Sequence, residues 1–436
     1  MQKNKRKIIF DSIIIGAALF SMFFGAGNMI FPPFLGFKSG TEWFGGFAGY
    51  YVADIGLAVI AILSQIKTKG HEKLLNPLGK WVGGAMMFAI VMCVGPFISI
   101  PRTAATTYEL SVQPLLPQMN MAVFYLIFFV VVALMCFNKS AVVDIVGKIL
   151  TPVLFIGLLV LIVVGIINPM GEINLPPRTE SVVADGIEAG YQSMDVLAAV
   201  VFGVIILNSA SSKGHSEPKQ QAKVAAGAGI VAGIGLLVIY LGLTYLGATA
   251  SSIYDTHVTR AELLTAIISD LLPGSVGSIF FAVVAGFACV STAVALVCSA
   301  AEYLEGLTKG KVNYKIFVIA ICVFGAVISM AGVEMLITFA SPVLGVVYPP
   351  VLVLVLLSFL GEKVGNLSRK CAAFVATLFG VTDALAGFGI TVPFIKYLPF
   401  AGVGLAWVVP TALVFAAGFG AEKLIKRRKS KKFIEN

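Results

Sequence analysis

The sequence FFGAGNMIFPPF at residues 23–34 interrupts an apolar run that is otherwise long enough to cross a membrane. As one helix, the run 8–37 would measure about 45 Å, whereas bilayer hydrocarbon is roughly 30 Å thick. Glycine costs a helix about 1 kcal/mol and an interior proline about 3 kcal/mol relative to alanine, so two of each favour a break near residues 25–28. Freed backbone groups cannot face lipid, and such a break therefore predicts a segment that lines a cavity or is covered by protein. The alternative is close packing of another helix on small residues.

The composition assigns the whole chain to the membrane. Of its 436 residues 58% are hydrophobic and only 12% are charged, with a mean hydropathy of +0.96. These values exclude a soluble globule and predict an all-α polytopic membrane protein with about 12 transmembrane helices. The predicted spans are 8–37, 43–66, 81–108, 121–137, 141–167, 186–211, 224–249, 274–301, 314–331, 333–358, 371–392 and 398–422.

The basic residues predict the orientation. With the N-terminus inside, alternate loops hold all but five of the 31 lysines and arginines, as expected for cytoplasmic loops. The exceptions are Lys38, Arg102, Arg178, Arg260 and Lys396. We therefore expect a multi-pass protein of the cytoplasmic membrane with both termini in the cytoplasm. The basic tail 423–436 lies beside a span, so the net charge of +9 indicates contact with the inner leaflet rather than with nucleic acid.

The sixth predicted span carries polar residues at membrane depth. It contains the sequence GYQSMDVLAA at residues 190–199, in which Gln192, Ser193 and Asp195 stand about halfway through the apolar segment. An aspartate at the centre of a bilayer costs about 2.5 to 3.5 kcal/mol on insertion scales, so it should face protein or water and is a candidate for binding. Alternatively, Asp195 caps a helix that begins at Val196. A cap at this depth also implies a broken helix.

Spans one and six occupy matching positions. They are the first members of two sets of five crossings, 8–167 and 186–358, and an odd number per set makes the second run in the opposite direction. Residues 371–422 then form two additional helices, and the whole chain 1–436 is one transport domain. Interrupted helices at matching positions of an inverted repeat indicate a secondary transporter with a binding site at the midplane.

The ends of broken helices predict what binds there. The half-helix that begins after the break, near Gly27 and Asn28, presents unpaired N–H groups and partial positive charge to a carboxylate. The carbonyls before the break suit an ammonium group or a sodium ion. A zwitterionic amino acid has both charges to satisfy. Phe202 is a candidate for the apolar wall of the site, with ordinary core packing as the alternative.

The motif MFFGAGNMIFPPF at residues 22–34, supported by residues 191–199, resembles the bacterial branched-chain amino acid:cation symporters of the LIVCS family, the BrnQ-type carriers. The resemblance spans nearly the whole chain and places it in the amino acid-polyamine-organocation superfamily. It implies a leucine-transporter-like fold with five-plus-five inverted helices and discontinuous helices 1 and 6. It also implies uptake of leucine, isoleucine and valine by alternating access, coupled to sodium or to protons.

The resemblance assigns site residues position by position. Helix eight would supply hydroxyls to sodium from Ser291 and Thr292, although such a pair can instead bond its own helix. Asp195 departs from the uncharged residue often found at its place, and it would hold the substrate ammonium, a cation or a proton. The predicted substrate residues are Gly25, Ala26, Gly27, Asn28, Gln192, Ser193, Met194, Asp195 and Phe202. The predicted cation residues are Phe24, Gly27, Ser291, Thr292 and Asp195.

Two other functions are alternatives to this one. A proton-coupled carrier of another small apolar solute shares every feature described so far. An intramembrane enzyme would need a nucleophile with a base, or metal ligands, inside the membrane, but His71, His215 and His257 all fall in predicted loops. We therefore expect no enzyme activity, no cofactor beyond a transported Na⁺ or H⁺, and no obligate protein partner.

Overall fold

The computed structural model describes residues 2–68, 70–137, 151–215, 217–272, 274–387, 389–390 and 392–434, and throughout these ranges the chain is helical or irregular, without strands. Three π-helical turns, Val52–Gly56, Cys93–Phe97 and Tyr108–Val112, continue neighbouring helices. The α-helices are α1 (Gln2–Phe23), α2 (Ala26–Ser39), α3 (Trp43–Tyr51), α4 (Leu57–Thr68), α5 (His71–Leu75), α6 (Lys80–Met92), α7 (Ser99–Thr107), α8 (Met121–Phe137), α9 (Thr151–Ile167), α10 (Val182–Ser193), α11 (Asp195–Ser212), α12 (Pro218–Ala250), α13 (Arg260–Leu271), α14 (Ser275–Leu307), α15 (Tyr314–Ser329), α16 (Val333–Ser358), α17 (Asn366–Gly387) and α18 (Val408–Ile434).

Within the described ranges, seven helical stretches are long and apolar enough to cross a bilayer, and three shorter apolar helices accompany them. The count of 12 crossings stays a prediction, as do the inverted repeat and the domain division. The first part of the predicted span 141–167 lies outside the described residues. The seven stretches are Ala26–Thr68, Lys80–Val112, Pro218–Ala250, Gly277–Leu307, Val333–Ser358, Asn366–Gly387 and Val408–Ile425.

Span one is broken, as its glycines predicted. Helix α1 ends at Phe23, Gly25 is extended with φ −115° and ψ −168°, and α2 begins at Ala26. The break, at Phe24 and Gly25, thus overlaps the predicted residues 25–28 at Gly25, and Gly27 and Asn28 form the first turn of α2.

Close packing on glycine also occurs in span one, but farther along the chain. A Cβ atom at Gly36 would lie 1.8 Å from the carbonyl oxygen of Thr244, and one at Gly247 would lie 1.8 Å from that of Pro33. Helices α2 and α12 thus touch backbone to backbone. Both predictions for the first span, a break and close packing, hold at different residues.

Span six is broken at one residue. Helix α10 ends at Ser193, Met194 is left-handed with φ 66° and ψ 15°, and α11 begins at Asp195. The prediction that Asp195 caps a helix starting at Val196 is wrong, because Asp195 is itself the first helical residue and Met194 occupies the cap position. Its carboxylate is turned toward span one instead.

Other boundaries differ where glycine and proline accumulate. The predicted span 371–392 is helical only to Gly387, and Gly389 has a φ of 82° that ends the helical path. The predicted span 398–422 becomes an α-helix only at Val408, after two short 3₁₀ turns. In span three, Gly95 leaves helical geometry with φ −101° and ψ −121° just before Pro96, which divides that span into α6 and α7.

Candidate substrate and cation site

Asn28 connects the two breaks. Its Nδ2 donates to the carbonyl oxygen of Phe23 and to Oδ2 of Asp195, each at 2.9 Å, and it also contacts the hydroxyl of Tyr240. The Phe23 carbonyl ends α1 and has no acceptor role inside that helix, so Asn28 satisfies a backbone group that the break frees. Asn28 and Asp195 are 1% and 3% exposed. The first and sixth spans therefore meet at a buried polar contact.

A second carboxylate faces the sixth break. Asp54, in the π-helical turn after α3, is fully buried, and its Oδ1 lies 2.5 Å from the hydroxyl of Ser193. The same hydroxyl is within hydrogen-bonding distance of the Gly190 carbonyl. Because Ser193 and Asp195 flank Met194, this break has carboxylates on both sides.

Arg102 supplies positive charge to the same region. Although the sequence assigned it to the external side, α7 places it at 3% exposure, with Nη1 donating to the carbonyl of Gln192 at 2.7 Å. A Cβ at Gly27 would lie 2.9 Å from its Nη2. A lone arginine inside an apolar span was the signal, since such residues normally mark functional pathways.

The remaining predicted substrate residues border a small cavity. Gly25, Ala26, Met194 and Phe202 line it, and its volume of about 30 Å³ takes one or two waters. Met194 Sδ lies 3.6 Å from the Ser99 hydroxyl. Gln192 is separate from this cavity: its Nε2 donates to the Ile337 carbonyl at 3.4 Å, and it lines a larger cavity of about 570 Å³.

Ser291 and Thr292, the two hydroxyls predicted to bind sodium, lie in α14, and only Thr292 is close to the break in span one. A Cβ at Gly25 would be 3.1 Å from Thr292 Cγ2 and 3.5 Å from Oγ1, and this buried hydroxyl has no hydrogen-bond partner among the described residues. Ser291 donates to the Ala288 carbonyl of its own helix at 2.8 Å, which is the alternative that we considered for the pair.

Two other predicted cation residues have different surroundings. The Phe24 side chain is fully buried and stacks on Phe20 at 5.6 Å, so only its backbone is available to an ion. Gly27 lies beside the Arg102 guanidinium. The charge there favours an anion over a cation.

The surroundings of the two broken spans differ at their two ends. The larger cavity lies beside α10 and is lined by Asp185, Glu188 and Arg260 among others. At the other end, Asp11 Oδ2 of α1 and Nε2 of His215, which follows α11, are 2.8 Å apart, and both residues are buried. Lys213 is 3.9 Å from the same carboxylate. The contacts around Asn28 and Asp195 thus lie between the larger cavity on one side and the Asp11–His215 pair, here called the bonded end, on the other.

Known proteins share this chain's architecture. It resembles Mhp1, a transporter of the nucleobase-cation-symport-1 family, with a TM-score of 0.64, 15% identity, and coverage of 96% of this chain and 93% of the other. It also resembles MhsT, solved in complex with L-phenylalanine, with a TM-score of 0.56, 16% identity, and coverage of 93% and 97%. These likenesses confirm the predicted leucine-transporter-like fold of a multi-pass membrane protein.

Curated sequences specify the family. A carrier protein of branched-chain amino acid transport system 3 from Pseudomonas aeruginosa is 35% identical, covering 95% of this chain and 97% of the relative. The branched-chain amino acid permease BraB of Bacillus subtilis is 34% identical, covering 94% and 95%. The profile of the family described as branched-chain amino acid transport protein matches residues 8–425. The chain therefore belongs to this family of transporters, whose members are not enzymes.

Proposed function

We propose that this protein imports branched-chain amino acids together with a cation by alternating access around the two breaks. The observation that carries the proposal is the Asn28–Asp195 contact, because it joins two interrupted spans at a buried point. Both nearby relatives are named for branched-chain amino acids. Leucine, isoleucine and valine are thus the proposed substrates.

The charges around the breaks suit a zwitterion. The substrate carboxylate is placed at the first turn of α2, where helix N–H groups favour an anion. Its ammonium group is placed toward Asp195. Two buried carboxylates and one guanidinium sum to one negative charge, which a zwitterion leaves unchanged and a co-transported cation would neutralise. Phe202, buried beside the cavity, is the proposed contact of the aliphatic side chain.

The coupling cation is placed on the side of the first break that faces Thr292. Thr292 offers a buried hydroxyl without a partner in the described part of the chain, next to the freed backbone at Gly25. Unwound carbonyls and hydroxyls are the groups that hold sodium in transporters of this architecture. A transported proton on Asp195 is the competing coupling mode, and the experiment below separates the two.

The unequal ends of the broken spans support the proposal of alternating access. The larger cavity reaches Gln192 from one side, whereas the Asp11–His215 pair joins the two broken spans on the other. The pair must separate for the second side to open. From the distribution of basic residues, we place both termini and this bonded end in the cytoplasm of a bacterial cell.

The test is uptake of labelled leucine by purified protein in liposomes, with sodium-only and proton-only gradients imposed separately. We expect accumulation above equilibrium under the sodium gradient, with isoleucine and valine as competitors. Asp195→Asn should lose this accumulation, and Asp255→Asn, in an exposed loop, is its matched control with normal uptake. Accumulation only with a proton gradient would contradict sodium coupling, and uptake that stops at equilibrium under both gradients would contradict symport altogether.

A further inference from the structure

Arg102 connects the two breaks through their backbones. Its Nη1 donates to the carbonyl of Gln192, in the last turn of α10, while its Nη2 lies against Gly27, in the first turn of α2. The guanidinium also lies over the ring of Phe31, with 5.4 Å between Cζ and the ring centroid. A side chain at residue 27 would occupy the space that this group uses.

The guanidinium has donors that the protein itself does not use. Arginine carries five N–H donors in a planar fork, and Nε is buried without a hydrogen-bond partner among the described residues. The side chain is 3% exposed, so water in bulk does not satisfy these donors. A buried, partly unpartnered fork beside a helix N-terminus is suited to one ligand group above others, a planar carboxylate.

We propose that Arg102 binds the α-carboxylate of the substrate and makes the site selective for substrates that carry one. This inference rests on the proposed function and assigns one residue to substrate selection. The carboxylate lies beside the guanidinium, against its unused donors and the first turn of α2, and its charge is neutralised there. The ammonium group then faces Asp195, so Arg102 also fixes the orientation of the bound amino acid.

The first arm of the test uses the wild-type protein. Purified protein is loaded with labelled leucine, and unlabelled leucine, leucinamide and 3-methylbutylamine compete for binding. Leucinamide replaces the carboxylate by a neutral amide, and the amine lacks it. A hydrogen bond to a charged group contributes about 1.5 to 3 kcal/mol, so both analogues should compete at least about tenfold more weakly than leucine. Equal competition by leucinamide would overturn the inference whether or not any variant folds.

The second arm uses Arg102→Gln and Arg102→Lys. We expect both to weaken leucine binding while leaving leucinamide binding nearly unchanged, so that the ratio of the two affinities falls toward one, farther for Gln than for Lys. The matched control is Arg369→Gln, because Arg369 also donates to a backbone carbonyl, that of Gly361, but lies in α17 away from both breaks. It should keep the wild-type ratio.

The outcomes separate this inference from the proposed function. If wild-type protein binds no leucine, the proposed substrate is wrong. If it binds leucine but the Arg102 variants weaken leucine and leucinamide equally, Arg102 only ties Gln192 in place and the inference is overturned.

Discussion

The two breaks at the centre of the molecule are built differently. The first opens at Gly25 and offers mainly backbone groups, since neither Gly25 nor Gly27 has a side chain. The sixth opens at Met194, a non-glycine residue in left-handed conformation, and offers the side chains of Ser193 and Asp195. The first break therefore leaves space for neighbouring groups to approach the backbone, whereas the sixth break contributes a charged side chain.

This difference explains which neighbours surround each break. At the first break, the missing side chains let Thr292 approach Gly25 and Arg102 approach Gly27. At the sixth break, the carboxylate of Asp195 accepts a hydrogen bond from Asn28 of span one. Substitutions at the first break should therefore change binding by filling space, and substitutions at the sixth break by changing charge.

The largest effect is expected from Asp195→Asn. Removing this charge leaves the proposed substrate ammonium without its buried partner, and we expect concentrative leucine uptake in liposomes to fall at least about tenfold, since one uncompensated buried charge costs several kcal/mol. Asp255→Asn provides the control. Wild-type uptake and coupling in Asp195→Asn would show that the carboxylate binds no transported charge and serves only the contact with Asn28.

A smaller effect on uptake is expected from removing the hydroxyls of Ser291 and Thr292 in α14. Thr292→Ala removes the unpartnered hydroxyl at Gly25 and should raise the sodium concentration needed for half-maximal leucine uptake several-fold. Ser291→Ala should change it little, because that hydroxyl already donates to Ala288. Equal sodium dependence in Thr292→Ala and wild type would remove Thr292 from the cation site, and a larger shift for Ser291→Ala would reverse the assignment.

The smallest effect concerns backbone strain at the sixth break. A left-handed conformation costs a non-glycine residue about 1 to 2 kcal/mol, so Met194→Gly should unfold at a higher temperature than Met194→Ala. In the adjoining helix the order should reverse, with Ala189→Gly less stable than wild type by about 1 kcal/mol. If Met194→Gly is the less stable of the Met194 pair, the left-handed geometry is not what holds this break.

The sequence predicted the two breaks because each carries a local signal. In span one the glycines are that signal, whereas Pro32 and Pro33, which were also expected to interrupt the helix, lie inside α2. In span six the signal is the set of buried polar residues. The exact points were less predictable: α2 restarts at Ala26, and Asp195 begins its helix rather than capping it. Helix restart depends on tertiary contacts, such as that between Asn28 and Asp195, which a local pattern does not contain.

The site was predictable only in part for the same reason. The family motif indicated residues of spans one and six, but Arg102 was counted with the external charges because the distribution of basic residues does not register burial. Asp54 and Tyr240 reach the breaks from spans two and seven, through packing that no local spacing encodes. Ser291 and Thr292 are adjacent in sequence, yet only their positions around α14 decide which hydroxyl faces Gly25.

The central claim is that the two breaks together form the substrate site, and equilibrium binding of labelled leucine to purified Gly27→Ala tests it most directly. The added methyl would lie 2.9 Å from Arg102 Nη2, the end of a flexible side chain that can move, so the variant should fold. Gly84→Ala is the control, because a Cβ there meets nothing within 4 Å. We expect leucine affinity to fall at least about tenfold in Gly27→Ala alone, the loss of one hydrogen bond to a charged group. Unchanged affinity in a folded Gly27→Ala variant would contradict the account.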